Sequence, residues 1–449
     1  MSLLPDRALT RTVLKISAPA VAGLSFQMIV TVFETAMVGR LENATIVLAA
    51  MGLGALATWA ITSIFSSLAT GTHVLTARRA GERNLGGAGG VLNNALLLSL
   101  LLGVVFGLPG YLFSHDILAF FASDPAVPDA GTGYMQWRFT GLLAFLFVVS
   151  YRGFFNGIGH THIFMLSALI INLTNIVLNY VLIFGAFGLP RMGLTGAGVS
   201  SAVSNVIGVL FFVSVSLLPR YRKRYRYYHG VHFQWPVMRQ IIKISLPVSF
   251  QNILILLGFL VFVAITGVIG TSQQAASQVV ITALFISFLP CFGFGTGAQT
   301  LIGQCLGKGD YPLAKRYGYE AARLATYFTV VLGFFFVLLP DWVIILITTD
   351  PTVTEAARPI LRIAGVAQIF YASGIVLAHA LQAAGATVFV MIIEVLTHWI
   401  IFLPISYLLG VTFGGGLTGA WGALPIYIIS YTLLIRLRYR WGSWHLIQV

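Results

Sequence analysis

The chain has 449 residues, of which 58% are hydrophobic and 9% charged, with a mean hydropathy of +0.90 and a formal net charge of +13. That composition excludes a soluble globular domain of this size. The basic balance does not imply nucleic acid either, because the charge lies at segment ends rather than over a folded soluble surface.

Twelve windows of mostly apolar residues are each long enough to cross a hydrocarbon core of roughly 30 Å. They fall near 13–38, 46–75, 88–112, 131–155, 161–186 and 193–218, then 241–266, 275–303, 318–348, 356–384, 386–410 and 414–437. Lipid offers no partner to an unpaired backbone group, and the alternation of a barrel is absent, so all twelve are predicted helices. The polar start MSLLPDRALTR, followed by a first window long enough to span, argues against a cleavable signal.

The first window carries Gln27, Thr31 and Glu34 at i, i+4 and i+7, one stripe of a helix. A carboxylate in hydrocarbon is costly unless it faces a polar cavity or takes up a proton, so Glu34 is a functional candidate. The fifth window repeats the geometry with Asn172, Asn175 and Asn179, and Ser200 or Ser201 opens the sixth. A carboxylate facing amides at one depth makes a pocket for a proton or for a small hard cation with oxygen ligands, which leaves sodium open at Glu34, Asn175 and Asn179. The bland alternative is interhelical hydrogen-bond glue.

Between the sixth and seventh windows runs RYRKRYR (Arg220–Arg226), read as a basic cytoplasmic linker that meets anionic lipid. Domain boundaries follow: an N-terminal lobe over 1–219, a linker over 220–240 and a C-terminal lobe over 241–449. In the second half, Gln251, Asn252, Gln278 and Gln299 are neutral polar groups that line a cavity or pack helices. Glu394 and His398 sit at i and i+4 of the eleventh window, as either a second proton or substrate site or a satisfied polar pair. Glu34 and Glu394 are the two acids well inside predicted helices. Cys291 and Cys305 lack partner or metal spacing and read as packing residues.

The chain also repeats itself. KISAP (Lys15–Pro19) returns as KISLP (Lys243–Pro247), SFQMI (Ser25–Ile29) as SFQNI (Ser249–Ile253), and SDPAV (Ser123–Val127) as TDPTV (Thr349–Val353). GLTGA occurs at Gly193 and at Gly416. Six helices per half makes the repeats parallel, the pattern of a transporter built from two lobes. Five basic residues, Arg40, Arg138, Arg191, Arg358 and Arg362, are assigned to the side away from the termini, and the remaining 21 of 26 to the side of the termini, which places both termini in the cytoplasm.

Three stretches then carry a family resemblance: FETAMVG at Phe33–Gly39 followed by Leu48, Ala49 and Ala50; NIVLNYVLIFG at Asn175–Gly185 with GLTGAGVSSA behind it; and FLPCFGFGTGAQTLIGQCLGKGDYPLAKR at Phe288–Arg316. The chain resembles multidrug and toxic compound extrusion (MATE) transporters over essentially its full length. The resemblance implies an all-α integral membrane protein of twelve helices in two pseudo-symmetric six-helix lobes with alternating access. It implies efflux of organic cations or amphipathic drugs in exchange for protons or sodium, in the bacterial inner membrane. The family's first-helix acid, usually Asp, maps to Glu34, and its fifth-helix polar pair to Asn175 and Asn179. Many members carry a glutamate eight residues after the proline that is Pro247 here, where this chain has Ile255. Coupling is therefore expected to rest on Glu34, Asn175, Asn179 and Ser201, with Gln27, Thr31, Asn172, Gln251, Asn252 and Gln278 lining the cavity.

No cofactor beyond the coupling ion is expected, no firm metal site, no enzymatic activity and no nucleic acid; the partners are small drug-like molecules and lipid, and the functional unit is a monomer. The rival is a flippase for lipid or lipid-linked saccharide, which would want cationic side chains for phosphate. The chain offers Arg152 and His160 near helix ends, and no basic residue is expected deep within a span.

Overall fold

The structure is a computed structural model that describes all residues except 1–5, 39, 42–43, 123, 229–232, 349 and 448–449. The side chains of residues 27–29, 31–32, 36 and 44–45 also lie outside the described set, and with them the expectations placed on Gln27 and Thr31. Among the described residues, twelve membrane-length helices run in order: α1 (Arg7–Val38), α2 (Ile46–Gly81), α3 (Leu85–Leu112), α4 (Ala126–Thr140 continued by Leu142–Gly157), α5 (Thr161–Phe184), α6 (Gly193–Leu217), α7 (Trp235–Ile269), α8 (Thr271–Lys308), α9 (Tyr311–Leu338), α10 (Pro351–Ala383), α11 (Thr387–Thr412) and α12 (Gly416–Trp441). They match the apolar windows in number and order. Several run well past them: α8 has 38 residues, about 57 Å at 1.5 Å per residue, so it continues into water beyond the hydrocarbon. Residues such as Leu100, Leu101, Val104, Val105 and Leu108 of α3 are exposed, as a lipid-facing stripe requires.

Two of the repeated motifs, SDPAV/TDPTV and GLTGA, mark helix starts. Asn84 accepts from Gly87 N at 2.8 Å to cap α3, and Asp310, 226 positions later, accepts from Leu313 N at 3.1 Å to cap α9. Asp124 accepts from Ala126 N at 2.9 Å before α4, and Asp350 from Thr352 N at 2.8 Å before α10. The GLTGA glycines share one left-handed backbone, with φ of 57° at both Gly193 and Gly416. Arg83 holds φ 61° where the second repeat has Gly309 at φ 77°.

The chain packs as two compact units, one of residues 22–249 and one of residues 1–21 with 250–449. The division runs through α1 and α7 and not through the expected linker at 220–240. The physical reason is a repeated close approach. Within the second of these units, Ser17 of α1 lies so near Gly297 of α8 that any side chain there would strike its hydroxyl; within the first, Ser245 of α7 meets Gly71 of α2 in the same way. The leading turns of each repeat's first helix thus pack on the other repeat's second helix, where the glycines admit them.

The basic segment is not a loose linker. Arginine and lysine point out while Tyr221, Tyr225 and Tyr227 are buried in an aromatic core with Phe154, Phe155 and Phe212. Tyr227 donates to the Ser216 carbonyl at 2.7 Å, the Tyr221 hydroxyl meets His160 Nδ1 at 2.8 Å, and Tyr228 bonds the hydroxyls of Tyr151 and Ser216. Burial pushes the Tyr225 and Tyr227 phenols above their ordinary range, so they stay neutral in this strap. In the unit containing the C-terminus, α10 is the most enclosed span, and small residues Ala364, Ala367, Ala372, Ala378 and Ala380 let its neighbours close on it. Cys291 and Cys305 are buried and unlinked.

Candidate cation-coupling site

Within residues 22–249, α1, α4, α5 and α6 converge on one apolar cluster that includes Val38, Tyr134, Ile183 and Ala197. The first-half polar candidates stand beside it. Glu34 is 9% exposed, and its Oε1 is buried without a hydrogen-bond partner. Asn179, fully buried, donates from Nδ2 to Asn175 Oδ1 at 2.9 Å, and Asn175 donates from Nδ2 to Ser201 Oγ at 3.4 Å. Ser200 turns back to the Gly196 carbonyl at 2.7 Å, so Ser201 is the hydroxyl that joins the asparagines. Asn172 is half-buried and outside this network.

The structure adds a residue that sequence reasoning placed elsewhere. Arg138, expected among charges beyond the membrane, lies inside α4 just before the 41° bend that separates its two segments. Its Nη1 donates to Ser201 Oγ at 3.2 Å, its guanidinium carbon stands 5.8 Å from the centre of the Tyr134 ring, and its charge acts on Glu34. The signal was available, since position 138 falls within the fourth apolar window. Arg152, in the second segment of α4, packs its guanidinium 4.8 Å over Phe164. Arg152 lies five residues from the end of α4, so it is Arg138 that corrects the expectation of no basic residue deep within a span.

In the other unit, Glu394 is 5% exposed and accepts at Oε2 from Gln251 Nε2 at 2.6 Å. Tyr371, Tyr427 and Tyr431 are its electrostatic neighbours, with ring centres 6.0 Å apart for Tyr371 and Tyr431 and 6.3 Å for Tyr427 and Tyr431. Gln251 Oε1 is left buried without a partner. Of the two readings of Glu394 and His398, the satisfied polar pair is not formed, since Glu394 bonds Gln251 and no hydrogen bond joins it to His398. A π-helical turn over Thr397–Phe402 begins between the two residues and changes the register that a regular helix would give. His398 packs instead against Gly258, Phe259, Phe402 and Tyr427. Asn252 is half-buried, and Gln278 is exposed on α8.

A third buried acid was missed. Glu320, at 3% exposure, accepts from Thr10 Oγ1 at 2.6 Å and pairs with Arg323 at 2.8 Å. It sits in the first turns of α9, where the apolar window had barely begun, and its partner from α1 is distant in sequence.

The family model that matches this chain is MatE, and it matches twice, over residues 19–181 and 247–408, beginning at the paired prolines of the two repeats. A probable multidrug resistance protein NorM of Thermotoga maritima is 26% identical over 435 residues, covering 97% of this chain and 93% of that protein. The multidrug resistance protein NorM of Burkholderia vietnamiensis is 28% identical over 434 residues, covering 95% and 92%. Among solved structures, a MATE protein in the straight conformation superposes with a TM-score of 0.89 at 20% identity, covering 96% of this chain and 95% of its own. An outward-facing multidrug resistance MATE family transporter of the MOP superfamily gives 0.88 at 20% identity, covering 97% and 95%. Two six-helix repeats with a polar cluster in the first, matched twice by one family model, show that the chain belongs to the MatE family of MATE transporters and is an integral membrane protein.

Proposed function

We propose that the chain is a secondary active efflux antiporter that exports organic cations or amphipathic drug-like compounds in exchange for protons or sodium, with Glu34 as the coupling residue. The observation that carries this reading is a carboxylate buried within residues 22–249, one oxygen without a donor, beside Arg138 and the Asn175–Asn179–Ser201 chain. Burial with an incomplete set of partners penalises the ionised form of a carboxylate, and its interaction with any cation differs between the ionised and neutral forms. Ionised, Glu34 balances Arg138 and attracts a positive substrate. Neutralised by a coupling ion, it leaves the charge of Arg138 unbalanced, which favours discharge of a positive substrate and rearrangement of α1, α5 and α6. The exchange alternates between outward-open and inward-open states and requires no nucleotide.

Glu394 with Gln251 and the three tyrosines forms a second anionic site, suited to an organic cation through its carboxylate and ring faces. The multidrug resistance names of the relatives support the drug-like substrate class. The protein lies in the bacterial plasma membrane with both termini cytoplasmic and acts as a monomer.

One observation favours the flippase: α4 carries two arginines, and a guanidinium is the side chain best shaped to hold a phosphate. Arg138 and Arg152 are 14 residues apart on α4, however, about 21 Å along a helix axis, too far to clamp one phosphate. The antiporter reading stands ahead of it.

The test is efflux of a fluorescent lipophilic cation from proteoliposomes, driven in turn by a pH gradient and a sodium gradient, with wild type beside Glu34→Gln. Transport driven by one gradient and abolished by the substitution supports the reading. A cation that neither gradient moves, or transport that survives Glu34→Gln, refutes it.

A further inference from the structure

We infer that Arg138 is a tethered internal cation that occupies the place a sodium ion would take and so makes the proton the coupling ion at Glu34. The inference rests on the antiporter reading and names its ion. A hard monovalent metal needs several oxygen lone pairs converging on one point. The first-half cluster offers five side-chain oxygens, the two of Glu34 with Asn175 Oδ1, Asn179 Oδ1 and Ser201 Oγ, but its hydrogen bonds already engage two of these. Asn175 Oδ1 accepts the Asn179 amide at 2.9 Å. Ser201 Oγ accepts both from Arg138 at 3.2 Å and from Asn175 at 3.4 Å, so N–H groups point where a metal would need lone pairs. Glu34 Oε1 and Asn179 Oδ1 remain buried without a donor. Even with the second Glu34 oxygen that leaves at most three ligands, short of the shell a hard cation takes. One proton is sufficient for Glu34, because it turns an orphaned acceptor into a donor and removes a buried charge together.

Charge points the same way. The guanidinium is held by the Tyr134 ring and by Ser201, so it is not free to leave when a second cation enters. A sodium ion would enter beside a fixed positive charge, whereas a proton on Glu34 creates a neutral carboxyl. Among the described residues, the titratable groups that face Glu34 are Arg138 and Tyr134, both from α4; α5 and α6 bring neutral amides and a hydroxyl. An arginine cannot lose its proton in a protein, which makes it a permanent counter-ion.

The experiment compares wild type, Arg138→Lys, Arg138→Gln and Arg138→Met as purified full-length protein. Thermal unfolding is measured in NaCl against KCl at equal ionic strength, and transport of a lipophilic cation is driven by each gradient. Wild type and Arg138→Lys should melt at the same temperature in both salts and should transport on a pH gradient alone. With the guanidinium gone, Arg138→Gln and Arg138→Met should melt several degrees higher in NaCl than in KCl, since an ion bound to the folded state raises its stability. Sodium-specific stabilisation or sodium-driven transport in wild type overturns the assignment. So do Gln and Met variants that fold and remain indifferent to sodium. Should both variants fail to fold, wild type against Glu34→Gln decides: stabilisation by sodium that disappears with Glu34 overturns the inference, and its absence in wild type supports it. Failure of both gradients in wild type counts against the antiporter reading alone, because the melting comparison reads ion preference without transport.

Discussion

Replacing Glu320 by alanine should loosen the leading segment of α1 from the unit it packs in. The carboxylate is 3% exposed in its side chain and its partner Arg323 14%, with 2.8 Å between them, and Thr10 of α1 donates to the same carboxylate at 2.6 Å. Removing one member of a buried ion pair costs about 3–5 kcal/mol, because the remaining charge loses its nearest opposite charge. The hydrogen bond from Thr10 to a charged acceptor is worth about 1.5–3 kcal/mol, part of which overlaps the first figure. A combined loss of about 4–5 kcal/mol, at roughly 2–4 °C per kcal/mol for a unit of about 200 residues, lowers the melting temperature by about 8–20 °C. Replacing both residues by apolar ones, Glu320→Leu with Arg323→Met, should recover most of this, because an apolar pair leaves no buried charge to solvate. Thermal unfolding in detergent gives the stability. Trypsin gives the location, since Arg7, Arg11 and Lys15 lie exposed along the segment that Thr10 anchors. A Glu320→Ala protein that melts within about 2 °C of wild type, with unchanged cleavage at those sites, would show that the pair is not what holds α1 there.

Two further outcomes follow from particular contacts. Gly258→Ala drives a methyl group into the His398 ring and should cost about 1–3 kcal/mol, whereas the same change made with His398→Ala should cost less than the two single losses added, measured as a double-mutant cycle by thermal unfolding. Asp350 caps α10 through the Thr352 hydroxyl and the N–H groups of Thr352 and Val353, which hold its carboxyl below the ordinary value of 3.8. A depressed folded value means the cap's contribution is complete above the unfolded value and is lost as pH falls through the folded one. Asp350→Ala should therefore melt lower than wild type at neutral pH, and the gap should narrow only below about pH 4. A gap of constant width down to strongly acid pH would refute the ionised cap.

What the sequence determined by itself was whatever a helix in lipid settles locally. Each apolar window had to close its own backbone hydrogen bonds, so each became a helix, the fourth as two segments that meet at a 41° bend. The repeated SDPAV and TDPTV motifs carry their caps within three residues, and GLTGA carries its left-handed glycine, so these too were decided in place. Glu34, Asn175 and Asn179 stood out because polar groups at helical spacing are costly in hydrocarbon wherever they end up. Tertiary structure decided everything that depended on a partner distant in the chain. Arg138 belongs to the site because α4 bends beside Ser201 of α6, 63 positions away. Glu320 is buried because Thr10 reaches it across 310 positions. Glu394 found Gln251 across 143 positions, while the near neighbour His398 was carried off by a π turn that no short-range pattern announces. The leading turns of α1 and α7 left their own repeats because Gly297 and Gly71, in the second helix of the opposite repeat, leave room for Ser17 and Ser245. Spacing along a helix tells which residues share a stripe, but the free energy of a buried charge is set by what lies across from that stripe, and only packing supplies it.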